Sequence, residues 1–382
     1  MLYNAIKKTI KQKTKRVIIT EQITLSNITL KDIAEQAGVS MVTVHRALAG
    51  KPGVSEEKRE AILKVAERLG YTGNAAASAL KKKRPVVAVV LPEGDRYGAY
   101  YFKYMWKGVL AYREDAVLSP AKYLDFPFEV GGNPEREEEC QVRALKEVLD
   151  QYGDQLDGLL AAPIVNTSAV QEILEEYIAK GVRVVLIDDD FPQTGRLCCV
   201  APNDENTGRL SAELMCEMIH QQEGTILIGA GSRKSLSHRM NAMGFSDYVR
   251  THRPDLKMIT LNDDSSHPDS ELFYQAMCTG NVTAAYSVRG RNTIPLCEAA
   301  LKLESERKLL LLGSDLFDRS AEMLRRGVLK GIIYKNPYEK GRTGMKILTE
   351  NLTMDKIPAS EKIAVPISVI LRNNLTFFEQ FI

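Results

Sequence analysis

The chain has 382 residues, of which 44% are hydrophobic and 26% are charged, as is usual for a globular protein of two or three domains. This composition excludes a disordered, collagen-like or small disulfide-stapled chain. The sequence also contains no uninterrupted run of about 18 apolar residues, the length that could span a membrane. Six cysteines without a C-x-x-C pair, and an N-terminus without an apolar signal core, predict reduced thiols in a cytoplasmic protein.

Charge is unevenly distributed along the chain. Residues 1–85 carry a net charge of +10, and the remaining residues carry −8. A basic head on an acidic body indicates a polyanionic partner for the head, and nucleic acid is the expected one. Residues 1–28 carry half of this net positive charge and are equally explained as a solvated tail, so we expect a flexible basic extension there.

The residues that follow this extension show the spacing of three short helices. Apolar side chains recur at helical intervals, and each run is bounded by capping and breaking residues. The predicted N-caps are Thr29, Ser40 and Ser55, and the predicted ends are Gly38, Leu48 and Gly70.

The first two of these helices, joined through Gly38, predict a helix-turn-helix, whose second helix can enter a major groove. Its outer side would present Met41, Val42, His45 and Arg46. Arg46 can pair with guanine or hold a phosphate, and His45 can donate to either. Any three-helix bundle shows the same helical pattern, so the pattern alone is weak evidence.

Residues 74–85 combine an alanine-rich stretch with a basic run that ends at Pro85. The stretch is too short to be a stable helix in water, but it could fold in a DNA groove with its cations on phosphates. Leu80, its large apolar side chain, could then wedge between base steps of the minor groove. A plain interdomain linker has the same composition.

The acidic body alternates short apolar runs with amphipathic helices, which predicts parallel sheets in an α/β fold. Nine strands are many for one sheet, so we expect two doubly wound subdomains. The predicted strands span residues 86–91, 157–162, 183–188, 224–229, 258–262, 283–288, 308–315, 331–335 and 365–371.

Polar side chains follow several of these strands, at the sheet edge where such folds bind ligands. They are Glu93, Asp188, Asp189, Asp190, Asn203, Asp204, Arg239, Asn292, Asp315 and Asn336. Each alone is better explained as a turn or cap residue, whereas together they indicate a site for paired hydroxyls. Aromatic rings that could pack on sugar faces come from Tyr97, Tyr100, Tyr101, Phe102 and Trp106.

The sequence carries no recognisable catalytic constellation. G-x-S-x-G, P-loop and H-E-x-x-H patterns are missing, and the five histidines show no metal-ligand spacing. The segment Arg289-Gly-Arg-Asn292 is too unlike a phosphate loop to indicate a nucleotide site. We therefore expect no enzyme, no cofactor and no metal.

The patterned head closely resembles the DNA-binding domain of the LacI/GalR family of bacterial repressors. The matching segment is ITLKDIAEQAGVSMVTVHRALAGKPGVSEEKREAILKVAERLGY, followed by the hinge signature Asn74-x-x-Ala77-x-x-Leu80. The resemblance implies that Met41 and Val42 read bases, that Thr43 and Arg46 contact backbone and bases, and that Leu80 is the minor-groove wedge. The predicted DNA-binding residues are Thr29, Ser40, Met41, Val42, Thr43, His45, Arg46, Asn74, Ala77 and Leu80.

The body is similar to the effector domain of the same family, which shares the fold of periplasmic sugar-binding proteins. Matching segments include VVLID, which ends at Asp188, and VAPNDENTGRLSAELM. The resemblance implies that Asp188, Arg239, Asn292 and Asp315 hydrogen-bond the effector. Tyr101, Phe102, Asn203 and Lys335 complete the predicted site. Lys335 replaces a common glutamine, which leaves an acidic effector open.

The predicted domains are the extension (1–28), an all-α helix-turn-helix head (29–73), a hinge helix and linker (74–85) and the effector domain (86–382). Within the effector domain we expect an N-subdomain of about residues 86–190 and 336–357, and a C-subdomain of about residues 191–335 and 358–382.

We therefore predict a cytoplasmic, homodimeric repressor that binds double-stranded DNA at a near-palindromic operator, under control of a sugar or sugar derivative. Two alternatives remain: a solute-binding transport protein with the same body, and a sugar-processing enzyme of doubly wound fold. The basic head counts against the first, and the lack of a catalytic motif counts against the second.

Overall fold

The structure is a computed structural model. It describes residues 29–48, 52–69, 84–94, 100–115, 121–130, 134–220, 222–262, 269–279, 281–303 and 309–379. The predicted extension and the hinge residues Asn74, Ala77 and Leu80 lie outside these ranges. The chain divides into two compact units, residues 1–82 and 83–382. Within the described ranges, no helix has both the length and the apolar character needed to cross a bilayer.

In the described part of the first unit, three helices surround a small apolar core. They are α1 (Leu30–Ala37), α2 (Met41–Leu48) and α3 (Glu56–Arg68). Ile33, Val44 and Ile62, one from each helix, are almost completely buried together. The three predicted helices are thus confirmed, because their apolar spacing gives each helix one face for the shared core.

Local chemistry sets the ends of these helices. Thr29 caps α1 in a reciprocal capping box with Asp32, and Gly38 ends it at φ 64°. Ser40 accepts the amide of Thr43 at 3.2 Å, as an N-cap does. Ser55 occupies the predicted N-cap position of α3, but its side chain makes no cap bond. Acidic residues in the first turn of α3 interact favourably with the positive end of the helix.

The second unit contains two subdomains, each built on a six-stranded sheet. The first has strands β1 (Val86–Pro92), β2 (Lys122–Phe128), β3 (Gly158–Ala161), β4 (Arg183–Ile187), β5 (Cys198–Ala201) and β11 (Lys362–Ala364), with helices α4 (Tyr100–Asp115), α5 (Pro134–Tyr152), α6 (Ser168–Ala179) and α12 (Pro337–Met354). Its strands are all parallel, in the order β11-β5-β4-β3-β1-β2.

The second subdomain repeats this plan. It has strands β6 (Gly224–Gly231), β7 (Leu256–Asn262), β8 (Val282–Ser287), β9 (Leu310–Ser314), β10 (Leu329–Tyr334) and β12 (Ser368–Ile370), with helices α7 (Asp204–Met218), α8 (Leu236–His252), α9 (Ser270–Thr279), α10 (Gly290–Leu301) and α11 (Asp318–Arg325). The order is β12-β10-β9-β8-β6-β7, and β12 runs antiparallel to β10. Two doubly wound subdomains are therefore confirmed.

All nine predicted strands are present, and three further strands are found. The alternating exposure and Pro127 of edge strand β2 hide it from a search for continuous apolar runs, and β5 and β11 have only four and three residues. Because β5 pairs with β4, and β11 pairs with β5, residues 198–201 and 362–364 belong to the first sheet. Their predicted place in the C-subdomain is therefore wrong.

Two pairs of helices cross at glycines. A Cβ built on Gly108 of α4 would lie 1.9 Å from the Tyr338 carbonyl of α12, and one on Gly341 would lie 2.1 Å from the Met105 carbonyl. Gly208 and Gly244 make the equivalent crossing of α7 and α8. α7 and α12 each follow a strand of the other subdomain, so these crossings anchor the chain where it enters a new subdomain.

Candidate functional site

The carboxyl ends of the two sheets border a cleft between the subdomains. It holds about 730 Å³ of empty space, part of it open to solvent. Each subdomain forms one wall of the cleft. The first wall, from the first subdomain, is lined by Tyr101, Phe102, Glu137, Pro163, Ile164, Asp188 and Asp189. The second wall, from the second subdomain, is lined by Ser232, Ser235, Ser237, His238, Arg289, Gly290, Arg291, Asp315 and Lys335.

A tyrosine, an aspartate and a lysine meet in the first wall. Asp188 directly follows β4 in a left-handed conformation, at φ 76°. Tyr101 of α4 donates its hydroxyl to Asp188 Oδ1 at 2.9 Å, and the fully buried Lys340 of α12 contacts both groups. Burial opposes ionisation of Asp188, but the charges of Lys340 and Lys335 outweigh it and lower the pKa of the carboxyl.

The second wall has a matching acid and base. Asp315 directly follows β9 at φ 63°, and its Oδ2 lies 3.6 Å from the Lys335 Nζ. Lys335 also donates to the Val288 carbonyl at 3.2 Å. Burial raises the pKa of Asp315, whereas carboxylates including Asp315 outweigh burial and raise the pKa of Lys335. The buried Asp315 Oδ1 has no hydrogen-bond partner among the described residues, so it can accept a bond from a ligand.

Among the described residues, several direct contacts join the two walls, including a hydrogen bond from the Asn166 amide to the Lys234 carbonyl at 2.7 Å. The Asp189 carboxylate accepts the amides of Leu236 and Ser237, at 3.1 and 3.2 Å, at the N-terminus of α8. Two ion pairs also span the cleft, Glu137 with Arg291 at 2.7 Å and Glu138 with Lys234 at 3.3 Å.

Burial perturbs several ionisable groups of this cleft. It raises the pKa of Asp189 to about 6 and that of Asp204, beside Ser237, to about 7. Burial, followed by the charges of Arg289 and Lys335, holds the pKa of His238 well below its usual range. His238 is therefore neutral near pH 7, and its Nδ1 accepts the Ser232 amide at 3.2 Å.

Five of the eight predicted effector residues line the cleft: Tyr101, Phe102, Asp188, Asp315 and Lys335. The other three are engaged elsewhere. Asn203 caps α7, Arg239 donates to the Arg233 carbonyl, and the buried Asn292 accepts from Arg289 at 2.9 Å. Their side chains satisfy backbone or neighbouring groups, which sequence position alone does not reveal.

The head presents the predicted outer side of α2 to solvent. Met41 and Val42 are 55% and 61% exposed, and His45 and Arg46 are exposed beside them. Thr43 is half-buried and contacts the Ser40 hydroxyl at 2.8 Å. Two large apolar side chains next to an exposed arginine form a surface suited to bases and phosphates.

Comparisons with known proteins match both units. Residues 29–74 match the model of bacterial regulatory proteins of the lacI family, and residues 87–356 match the periplasmic binding protein domain. The chain belongs to the LacI family, with a periplasmic binding protein domain as its body. This LacI-family protein is a DNA-binding transcription regulator.

Individual relatives are distant. Catabolite control protein A of Staphylococcus xylosus is 23% identical over 86% of this chain and 94% of its own length. GanP, a glucose-galactose binding protein from Geobacillus stearothermophilus, has a TM-score of 0.66 and 20% identity over 77% of this chain and 99% of its own. A putative LacI transcriptional regulator from Bacteroides fragilis has a TM-score of 0.65 and 18% identity over 78% of this chain and 100% of its own.

Sequence reasoning missed several residues around the cleft of this LacI-family protein. Arg289 and Arg291 belong to a segment that we set aside as an unlikely phosphate loop, yet both line the cleft. Glu137 lies on α5. The only sequence feature that could have pointed to it is the opposite charge of Arg291, its partner across the cleft. Lys340 gave no signal, because a helical lysine normally faces solvent.

Proposed function

We propose that this LacI-family protein is a repressor that binds a near-palindromic operator as a homodimer, and that a small polyhydroxy effector controls its operator affinity through the cleft. Two-fold symmetry of the protein would be mirrored by the two half-sites. An effector that prefers one closure state by about 1–3 kcal/mol would change operator affinity about 5- to 150-fold.

The exposed face of α2 carries the DNA-binding part of the proposal. Met41 and Val42 do not contribute to the core of the head. Their neighbours Val44 and Ala47 form that core from the opposite face of the helix. Large apolar side chains held in solvent suit contacts with thymine methyls and base edges. Arg46 beside them can read guanine or hold a phosphate.

An operator experiment tests this assignment. We would select preferred duplexes from a random pool with the full chain, and measure their affinity against salt by fluorescence anisotropy. The double variant Met41→Ala, Val42→Ala should select a different half-site, with the salt slope unchanged because phosphate contacts remain. Leu63→Ala, which truncates an exposed leucine of α3, is the matched control. An unchanged half-site in the double variant would contradict the proposal.

The charges of the cleft favour a neutral effector. Lys335, Lys340 and Arg291 each already face a carboxylate, at Asp315, Asp188 and Glu137 respectively. An acidic effector that paired with one of these three cations would have to displace its carboxylate. A hydroxyl, by contrast, can donate to the unpartnered Asp315 Oδ1 without disturbing any pair. We therefore propose a neutral sugar, which the similarity of the body to GanP, a glucose-galactose binding protein, also supports.

Thermal-shift and calorimetric titrations test the effector. Neutral sugars such as D-glucose and D-arabinose should stabilise the full chain, by about 2.7 kcal/mol at 100 times the dissociation constant. Glucose 6-phosphate and gluconate should not. Asp315→Asn should abolish the shift, whereas Asp247→Asn, on the outer part of α8, should leave it intact. Stabilisation by the two acidic compounds alone would contradict a neutral effector.

The homodimer and the sign of regulation need their own measurements. The homodimer of this proposal rests on the two-fold symmetry that a near-palindromic operator requires. Sedimentation equilibrium should give twice the chain mass of 42.6 kDa. A reporter under the selected operator should be repressed, and the stabilising sugar should change that repression.

A further inference from the structure

The carboxylate of Asp189 accepts hydrogen bonds from the N-terminus of a helix of the opposite subdomain, whose own N-cap is Ser235. Asp189 follows β4 in the first wall, is only 4% exposed, and accepts two amides from the start of α8 in the second wall. A helix N-terminus carries partial positive charge, so an anionic group there is favourable. This contact can form only while the two subdomains are closed against each other.

Two ion pairs bridge the same cleft. The side chains of Glu137 and Arg291 are only 8% and 13% exposed, and their 2.7 Å contact joins α5 to α10. Glu138 and Lys234 add a more exposed pair beside it. Removing one partner of a buried pair leaves an uncompensated charge, so closure depends on both partners.

We infer that Asp189, Glu137 and Arg291 are positioning residues that clasp the two subdomains together, so that the chain favours the closed cleft through its own contacts before an effector adds to it. Each contact joins two protein groups directly, so the clasp requires no bridging ligand. A preformed closed state removes part of the conformational cost of binding. The inference rests on the proposed function only in assigning the cleft to an effector.

Hydrogen exchange of the effector-free full chain measures the clasp. The Leu236 and Ser237 amides report its Asp189 contact, and peptides that contain them can be followed by mass spectrometry. Asp189→Asn should speed the exchange of these amides. This variant alone does not test the clasp, because it also removes the acceptor to which the amides are bonded. Glu137→Gln is the decisive variant, because Glu137 contacts Arg291 of α10 and not α8.

Glu137→Gln should speed exchange of the two α8 amides about tenfold, the equivalent of about 1.4 kcal/mol in the opening equilibrium. The charge-swapped double variant Glu137→Arg, Arg291→Glu should restore slow exchange. Glu298→Gln is the matched control, because Glu298 pairs with Arg319 at 2.8 Å from the same helix α10 but inside one subdomain. It should leave the α8 amides unchanged.

Slow exchange of the α8 amides in Glu137→Gln, in a chain with wild-type circular dichroism, would overturn the clasp. The same would follow if the charge swap failed to restore protection that Glu137→Gln had removed. Failure of the proposed function is recognised separately. In that case D-glucose and D-arabinose would not stabilise the wild-type chain, although the clasp variants would still change amide exchange.

Discussion

The Nζ of Lys340, from the first turn of α12, contacts the carboxylate of Asp188 at the end of β4. The lysine is fully buried, whereas a quarter of the aspartate side chain faces the cleft. The charge that balances the cleft acid is therefore supplied from inside the first subdomain. This relationship ties the folding of α12 to the electrostatics of the ligand site.

Lys340→Met should destabilise the chain by about 3 kcal/mol, because it leaves the Asp188 carboxylate without its buried counter-charge. Denaturant unfolding of the full chain, followed by circular dichroism, measures the change. The double variant Asp188→Asn, Lys340→Met removes both charges and should recover most of the loss. Equal destabilisation in the single and double variants would mean that lysine packing, and not charge, accounts for the effect.

The glycine crossing of α4 and α12 gives a second prediction. Gly341→Ala should destabilise the chain by about 3 kcal/mol or more, because its Cβ would lie 2.1 Å from the Met105 carbonyl and the helices must separate. Gly344→Ala, one turn later on α12, is the matched control. Its Cβ would come closest to the tip of the Leu160 side chain, at 3.0 Å, and this tip can move. Thermal unfolding should therefore give Gly344→Ala a higher melting temperature than Gly341→Ala.

The sequence was sufficient to predict the helices of the head and the aspartates that follow the strands. Thr29, Gly38 and the apolar spacing of α1 to α3 act locally, so their outcome follows from neighbouring residues. Asp188 and Asp315 are recognisable because each directly follows a buried apolar run, which places it at the carboxyl end of a strand. The left-handed conformation of both aspartates was not evident from the sequence.

The remaining cleft residues depend on tertiary packing. Lys340 faces the interior only because α12 returns to the first sheet after β10, and no local pattern encodes that crossing. Asn292 also follows a strand, yet it is turned inward by its bond to Arg289. Strand β5 was missed because four residues give too little pattern, although it decides where the first subdomain ends.

In the head, Arg59 of α3 supports the C-terminus of α2. Its guanidinium donates to the carbonyls of Ala47 at 2.9 Å and Arg46 at 3.4 Å, in the last turn of α2. Arg59→Gln should lower the stability of the head by about 2 kcal/mol, since charged hydrogen bonds to the last carbonyls are lost. Thermal unfolding of the full chain, monitored by exchange of α2 amides, measures it.

The matched control for this variant is Arg68→Gln, also on α3. Arg68 bonds the exposed side chain of Gln36 at 2.8 Å and does not contact α2 in that bond. It should therefore leave the α2 amides unchanged. Operator affinity should fall in Arg59→Gln more than affinity for random DNA, because base readout needs an ordered α2. Equal losses for the two arginine variants would contradict a specific support of α2.

The half-buried His238 should make the stability of the chain depend on pH. Burial and the neighbouring charges of Arg289 and Lys335 lower its pKa in the folded chain, so the unfolded chain binds a proton more readily below about pH 6.5. Stability should therefore fall on acidification, by about 1.4 kcal/mol for each pH unit below 6.5 that the folded chain resists protonation. The contribution of His238 is fully present above that pH.

The comparison of wild type with His238→Gln isolates this contribution, because Asp189 and Asp204, whose raised pKa values act in the opposite direction, titrate in both chains. Denaturant unfolding between pH 5.5 and 7.5 should show a steeper acid loss in wild type than in the variant. His252→Gln, at the exposed end of the same helix, is the control. Parallel pH profiles for wild type and His238→Gln would mean that the imidazole takes up its proton equally in the folded and unfolded chains, which would contradict a pKa lowered by burial and by the charges of Arg289 and Lys335.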